Sequence, residues 1–198
     1  INSIKENVLI IGASSGIGND LLKLFLNNKK IKIISTYFKN KINENRKNLI
    51  VKKINIETDL KVVFNIIEKY SPIIIYYFPT PKILNKTNDN QLIKLYRKYY
   101  IHYPIKIIKF SKKFKSKFFY PSTTYIENKI LSPYTSIKLE AEKKIIKLKD
   151  MIVKINILRI PEINTKQNLS LINRNLKNFR DLISKNISML NKVFFKYS

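Results

Sequence analysis

The chain has 198 residues, 44% of them hydrophobic, which suits one domain with a sizeable core and gives no reason to expect disorder. It contains no cysteine and one histidine, His102, which excludes disulfides, cysteine nucleophiles and a cysteine or histidine metal cluster, so no metal site is expected. The net charge of +26 is spread along a chain that is rich in lysine, asparagine and isoleucine, a composition typical of AT-rich codons, and no specific nucleic-acid partner is expected.

Six short apolar runs predict strands that are buried on both faces. These runs are 8–11, 31–35, 49–54, 73–78, 118–120 and 152–158. Segments with helical spacing of apolar residues lie between them. This alternation predicts an α/β chain with a Rossmann-type doubly wound parallel sheet of about six strands, in the order 3-2-1-4-5-6, and helices on both faces. The whole chain, residues 1–198, is predicted to be one such domain.

All three glycines of the chain fall within seven positions, directly after the first predicted strand. Glycine permits a tight turn and a close approach of the backbone to a pyrophosphate, and the following helix offers free N–H groups and a positive dipole end. The alternative is an ordinary tight turn from strand to helix. We predict a dinucleotide site that comprises Gly12, Ser14, Ser15, Gly16, Ile17 and Gly18.

Two later segments also have helical spacing. Leu92, Leu95, Tyr96, Tyr99 and Tyr103 form one apolar stripe. Pro104 is expected to kink this helix, because proline lacks the N–H that a helix interior requires. In the tail, residues 173–191 are predicted to form one last helix.

The segment 132–143 begins with a helix-start signal, since Ser132 is a good N-cap and Pro133 suits the first helical position. Tyr134 and Lys138 are four residues apart and therefore neighbours on one face. An adjacent ammonium favours the phenolate, so the pKa of Tyr134 is expected to fall towards the working pH and to suit proton transfer. The alternative is a surface pair without chemistry.

The two motifs together, GASSGIG at 12–18 and YTSIK at 134–138, resemble the short-chain dehydrogenase/reductase family over nearly the whole chain. The resemblance implies that Tyr134 gives or takes the proton of the substrate oxygen. It implies that Lys138 lowers the pKa of this tyrosine and holds the nicotinamide ribose. A serine or threonine orients the carbonyl in this family, and Ser122 is the best candidate, with Thr123 and Thr124 as alternatives.

Three segments depart from the family pattern. YYFPTPKI at 76–83 replaces the N-N-A-G segment, so cofactor contacts there are expected from Pro79 and Thr80. Tyr100 stands where the family carries an asparagine that supports a water relay. In LRIPEINTKQN at 158–168, which is similar to the P-G-x-x-x-T region, Thr165 is the expected cofactor contact and Glu162 replaces a glycine.

The end of the second predicted strand bears on the choice of cofactor. Positions 35–38 carry no acidic residue to bind a ribose 2′-hydroxyl, and Lys39 and Lys41 follow. This pattern favours NADP, with NAD as the alternative. Asn55 and Ile56, after the third strand, are the expected neighbours of the adenine.

The leading hypothesis is an NADP-dependent carbonyl reductase or alcohol dehydrogenase. Its substrate is expected to be a small molecule or an acyl chain tethered to a carrier. The acyl-chain expectation comes from PSTTYIE, EAEK and RIPEINTKQN, which resemble a reductase-like subgroup of polyketide and acyl-chain pathways. The alternatives are an epimerase or dehydratase that retains its cofactor, and a cofactor-binding or nucleic-acid-binding module without catalysis. A cytoplasmic location, no membrane contact and a homo-oligomer are expected.

Overall fold

A computed structural model describes residues 6–81, 90–128, 132–148, 154–163 and 178–195. Within these ranges, six parallel strands form one sheet in the order β3-β2-β1-β4-β5-β6, which confirms the predicted order. The strands are β1 (Glu6–Ile11), β2 (Ile31–Tyr37), β3 (Leu49–Lys53), β4 (Ile74–Tyr77), β5 (Lys117–Thr123) and β6 (Ile155–Ile160). The helices are α1 (Gly16–Leu26), α2 (Leu60–Tyr70), α3 (Asn90–Arg97), α4 (Tyr103–Ser111), α5 (Pro133–Ile146), α6 (Phe179–Ser184) and α7 (Ile187–Phe194). None of these helices is long and apolar enough to cross a bilayer.

The sheet separates two hydrophobic cores, because successive strand residues point to opposite faces. In β1, Leu9 and Ile11 join the core beneath α2, α4 and α5, whereas Val8 and Ile10 join the core beneath α1, α6 and α7. Burial on both faces explains why the strands read as continuous apolar runs instead of alternating ones.

The order in which strands are added to the sheet reverses at β1. This strand pairs with β2 on one side and with β4 on the other. The connections from these strands therefore leave in opposite directions and open a crevice at their carboxyl ends. Ligands of open α/β sheets bind in this place.

A π-helical turn, Lys98–His102, joins α3 to α4 just before Pro104. In this turn the Tyr103 N–H donates to the carbonyl of Lys98. Pro104 has no N–H for the carbonyls of Tyr99 and Tyr100, its partners at π and α spacing respectively. At the position of the predicted kink, the structure therefore has a wider, π-helical turn, and the hydrogen-bond spacing of the helix changes next to Pro104.

The tail forms two short helices, so the prediction of one helix over 173–191 is wrong for the described part, which begins at residue 178. The Asn186 side chain accepts a hydrogen bond of 3.0 Å from the Met189 N–H, which starts α7 anew after α6 ends. Both helices pack on the same face of the sheet as α1. Phe179 N–H donates to Asp20 (3.2 Å), and the Tyr76 hydroxyl donates to the Val193 carbonyl (2.8 Å).

Candidate functional site

The glycine turn after β1 is held by the end of β2. Gly12 has φ +79°, and its N–H donates to Thr36 Oγ1 at 3.0 Å. The Ala13 N–H donates to the Thr36 carbonyl at 2.8 Å. A Cβ at Gly18 would overlap the Gly12 carbonyl oxygen, so only glycine allows α1 to start this close to the turn.

The start of α1 has the features of an anion site. Ser15 is the N-cap in extended conformation, but its side chain makes no capping hydrogen bond to the helix. Ser14, Ser15 and Ile17 are half-buried around this helix start. Because the Ser15 side chain leaves the first turn uncapped, the N–H groups of this turn suit a phosphate, and the predicted dinucleotide group fits the described residues.

The segment after β4 lies against the glycine turn. A Cβ at Gly12 would lie 3.0 Å from the Pro79 nitrogen, and the Phe78 N–H donates to the Ile11 carbonyl at 2.9 Å. The Thr80 hydroxyl and the Tyr100 hydroxyl are 2.5 Å apart and share a hydrogen bond. Pro79 and Thr80 thus lie in the crevice at the carboxyl ends of β1 and β4.

The residue predicted near the ribose 2′-position lies after β2, and the two predicted near the adenine lie after β3. Lys39 is exposed. The Asn55 side-chain oxygen accepts from the Glu57 N–H (3.2 Å), while the Asn55 N–H donates to Asp59 (2.9 Å). Ile56 is only 5% exposed and packs in the core beneath α2, so it offers little surface to a ligand.

Helix α5 begins as the sequence predicts. The Ser132 hydroxyl accepts a hydrogen bond from the Thr135 N–H at 3.3 Å, and Pro133 is the first helical residue. Ile137, Ala141 and Ile145 are buried.

The predicted direction of the Tyr134 pKa is wrong for this structure. Burial raises the pKa of Tyr134 to about 12, with Tyr96 and Tyr125 adding to the rise. Tyr134 packs against the rings of Tyr96 and Tyr100, with centroid distances of 6.1 and 5.4 Å. Within the described ranges, no hydrogen bond joins its hydroxyl to Lys138, so the desolvation by these rings decides the direction.

Lys138 is buried, although the sequence places it on a face beside the buried stripe. It is 5% exposed, and its Nζ donates a hydrogen bond of 2.6 Å to the Pro121 carbonyl. Its Nζ lies 4.4 Å from the centroid of the Tyr100 ring and 4.6 Å from that of the Tyr120 ring. Burial lowers the pKa of Lys138 to about 7, and the charge of Glu142 opposes this shift.

Strand β5 extends to Thr123, beyond the predicted run 118–120, so Ser122 lies within the strand, next to Pro121, which binds Lys138. Ser122 is 5% exposed, and its Oγ has no hydrogen-bond partner in the described part of the chain. Thr123, in contrast, uses its Oγ1 to accept from the Tyr125 N–H at 3.3 Å. A buried hydroxyl without a partner is costly, and a bound polar group would satisfy it.

An ion-pair network lies beside Ser122. Arg159 is opposite Ser122 in the register of β5 and β6. Its Nη2 and Nε contact the carboxylate of Glu142 at 2.9 and 3.2 Å, and its Nη1 contacts Glu127 at 3.0 Å. Glu142 is 4% exposed, so Arg159 balances a buried carboxylate.

Two residues around the site have no counterpart in the sequence prediction. Thr36 holds the glycine turn, and Tyr120 contacts Lys138. For Thr36, a hydroxyl at the end of an apolar strand is a weak signal. For Tyr120, nothing in the local sequence pattern indicates a contact with Lys138. Thr165 lies outside the described residues.

No protein-family model and no curated protein matches the chain, but solved structures do. A 4-hydroxyisoleucine dehydrogenase complexed with NADH is 15% identical, with a TM-score of 0.77, over 98% of this chain and 93% of that one. A short chain dehydrogenase from Burkholderia cenocepacia J2315 in complex with NADP is 12% identical, with a TM-score of 0.77, over 96% and 86%. A UDP-glucose 4-epimerase from Brucella ovis in complex with NAD is 16% identical, with a TM-score of 0.63.

The three matches differ in extent. The epimerase match covers 78% of this chain but only 51% of the epimerase, so the chain spans about half of that protein. All three identities are low, and the likeness is one of fold. At that level, the comparisons confirm the resemblance to short-chain dehydrogenases that the two sequence motifs indicate.

Proposed function

We propose that the chain is an NAD(P)-dependent oxidoreductase that reduces a carbonyl or oxidises an alcohol. The observation that carries this proposal is the convergence of two motifs at one edge of the sheet. The glycine turn meets Pro79 in the crevice between β1 and β4, and the Lys138 ammonium binds the Pro121 carbonyl on the neighbouring strand, next to Ser122.

The glycine turn and its surroundings are the proposed cofactor site. The uncapped N–H groups at the start of α1 bind the pyrophosphate, while Ser14 and Ser15 add hydroxyl donors. Pro79 and Thr80 line the nicotinamide side, and Thr165 is proposed to contact the cofactor as well. When bound, the cofactor supplies or accepts the hydride.

Tyr134, Ser122 and Lys138 are the proposed catalytic group. The pKa of Tyr134 is raised to about 12 in the structure, so its phenol stays protonated at neutral pH and can donate to the oxygen of a carbonyl being reduced. The unpartnered Ser122 hydroxyl is free to orient that oxygen, whereas the Thr123 oxygen already caps a turn. Lys138 is proposed to hold the ribose.

NADP is the proposed cofactor in preference to NAD. Lys39 and Lys41 are exposed after β2, where a 2′-phosphate would lie, and no acidic residue stands between 35 and 38. The double variant Lys39→Gln, Lys41→Gln is expected to weaken NADPH binding, measured by fluorescence titration at fixed ionic strength, and to leave NADH binding unchanged. An equal effect on both cofactors contradicts the assignment.

The experiment for the activity uses a panel of ketones, β-keto thioesters and hydroxy acids with NADPH or NADP, followed at 340 nm. Tyr134→Phe is expected to lower turnover about 10²- to 10⁴-fold while cofactor binding stays intact. The matched control is Tyr70→Phe on α2. Tyr70 lies at the opposite edge of the sheet, where its backbone carbonyl accepts a hydrogen bond from the Asn7 side chain. Turnover that survives Tyr134→Phe overturns the proposed role.

A β-keto thioester as the best substrate would support an acyl-chain substrate, and a free ketone or hydroxy acid would support a small molecule. Cofactor that stays bound through purification without net turnover would favour the epimerase alternative. A homo-oligomer remains a prediction of the resemblance, and sedimentation of the purified chain tests it.

A further inference from the structure

The Lys138 ammonium lies between two aromatic rings that come from different parts of the fold. One ring belongs to Tyr100 in the π-helical turn, and the other to Tyr120 in β5, with Nζ 4.4 and 4.6 Å from their centroids. A cation over the face of an aromatic ring is attracted by the ring quadrupole, most strongly where water is excluded. At 5% exposure, Lys138 meets that condition.

Hydrogen bonds at both hydroxyls hold the two rings in place. The Tyr120 hydroxyl donates to the backbone carbonyl of Tyr100 at 3.0 Å, which links the two partners directly. The Tyr100 hydroxyl bonds to Thr80 Oγ1 at 2.5 Å, in the segment that lies against the glycine turn. A change of χ1 at either tyrosine would move its ring away from Lys138 and break one of these bonds.

We propose that Tyr100 is a positioning residue, whose ring, together with that of Tyr120, forms an aromatic clamp that holds the Lys138 ammonium on the Pro121 carbonyl. The clamp places the charge one residue from Ser122 and one helical turn from Tyr134. The role of the clamp in turnover rests on the proposed function, whereas its effect on Lys138 does not.

The charged and titratable groups around Lys138 come from four elements. Tyr100 faces it from the π-helical turn, Tyr120 from β5, and Tyr134 and Glu142 from one turn away on α5. Arg159 on β6 binds Glu142 and offsets its charge. Burial lowers the pKa of Lys138 to about 7, whereas the charge of Glu142 opposes this shift. The Pro121 carbonyl and the faces of the two rings are the uncharged groups that contact the ammonium and favour its protonated form.

The test changes the quadrupole of the ring at position 100 and keeps the shape of the ring nearly the same. Tyr100→Phe retains the ring quadrupole and removes only the hydroxyl, whereas Tyr100→trifluorophenylalanine weakens the quadrupole in a ring of nearly the same size. The readout is the pH titration of the Lys138 Nζ resonance in protein labelled with ¹⁵N-lysine, assigned by its loss in Lys138→Met.

The expected result is a Lys138 midpoint about one pH unit lower with the fluorinated ring than with Phe. Phe119→trifluorophenylalanine is the control, because this ring packs in the other core and leaves the midpoint unchanged. Equal midpoints for the two variants at position 100 overturn the clamp. If those variants do not fold, the same pair of substitutions at Tyr120 is measured, with the same two outcomes.

A second readout separates the clamp from the proposed function. The pH profile of kcat/KM is expected to move with the Nζ midpoint between the two variants at position 100. If no nicotinamide cofactor binds, the proposed function fails while the NMR result still decides on the clamp. If the cofactor binds and the substrate turns over, but the NMR midpoint does not move, only the clamp fails.

Discussion

The hydroxyl of Tyr120 donates a hydrogen bond of 3.0 Å to the backbone carbonyl of Tyr100, from the sheet to the helix that covers it. Pro104 cannot serve this carbonyl, since it has no N–H. The Tyr77 hydroxyl does the same for the carbonyl of Tyr99, at 2.8 Å. Two strand tyrosines therefore donate to the two carbonyls that face the missing N–H of Pro104 at α and π spacing.

This arrangement predicts a stability cost for Tyr120→Phe. The substitution leaves the buried Tyr100 carbonyl without its donor, and we expect a loss of about 1 to 3 kcal/mol in the free energy of unfolding. Urea denaturation measures it, with Tyr125→Phe as the control, because Tyr125 is 40% exposed and water replaces its bond to Glu162. Equal losses for both variants would show that the carbonyl does not depend on Tyr120.

The glycine turn predicts a strong effect of Gly18→Ala. The new methyl group would overlap the Gly12 carbonyl oxygen, so α1 must shift away from the turn. We expect a loss of about 1 to 3 kcal/mol in the free energy of unfolding, and weaker cofactor binding. The control is Ser14→Ala in the same turn, expected within about 0.5 kcal/mol of the parent. A stable Gly18→Ala protein with unchanged cofactor affinity contradicts the role of this contact.

The network at β6 predicts that Arg159→Met is destabilising. Removing Arg159 leaves the carboxylate of Glu142 buried, and we expect a loss of about 2 to 4 kcal/mol, since Arg159 itself is partly exposed. The double variant Arg159→Met, Glu142→Leu is expected to recover part of that loss. Lys113→Met breaks the exposed pair with Glu68 and is expected to cost under about 1 kcal/mol. Similar costs for the two single variants would contradict the prediction.

Lys138 predicts how stability depends on pH. Its pKa is about 7 in the folded protein against 10.5 in the unfolded chain, so between these values the unfolded state binds more protons. The free energy of unfolding therefore gains a contribution that rises with pH in this window, by up to about 1.4 kcal/mol per pH unit. Above about pH 10, Tyr134 contributes with the opposite sign, because its folded pKa is raised.

The measurement compares denaturation curves of the parent and Lys138→Met from pH 6 to 10. The difference between them is expected to isolate the rising contribution, and Lys143→Met, an exposed lysine on the same helix, serves as the control. If the free energy of unfolding depends on pH in the same way for the parent and Lys138→Met, Lys138 has the same pKa in the folded and the unfolded state, and the prediction is wrong.

Local sequence patterns predicted the strands of the sheet, the glycine turn and the start of α5. Apolar runs predicted the strands, since burial on both faces leaves no polar alternation. Gly12, Gly16 and Gly18 marked the turn, because its backbone angles and close contacts require glycine. Ser132 and Pro133 marked the start of α5, since helix capping depends only on adjacent residues.

The tertiary structure alone decided the surroundings of the catalytic candidates. Tyr100, Tyr120 and Lys138 meet although 18 to 38 residues separate them along the chain, and no spacing rule relates a helix turn to a strand across the core. Their packing buries Lys138 and reverses the predicted direction of the Tyr134 pKa, because desolvation depends on every group that surrounds a side chain. Sequence spacing set Tyr134 and Lys138 on one helix, and long-range packing determined which partners each of them has.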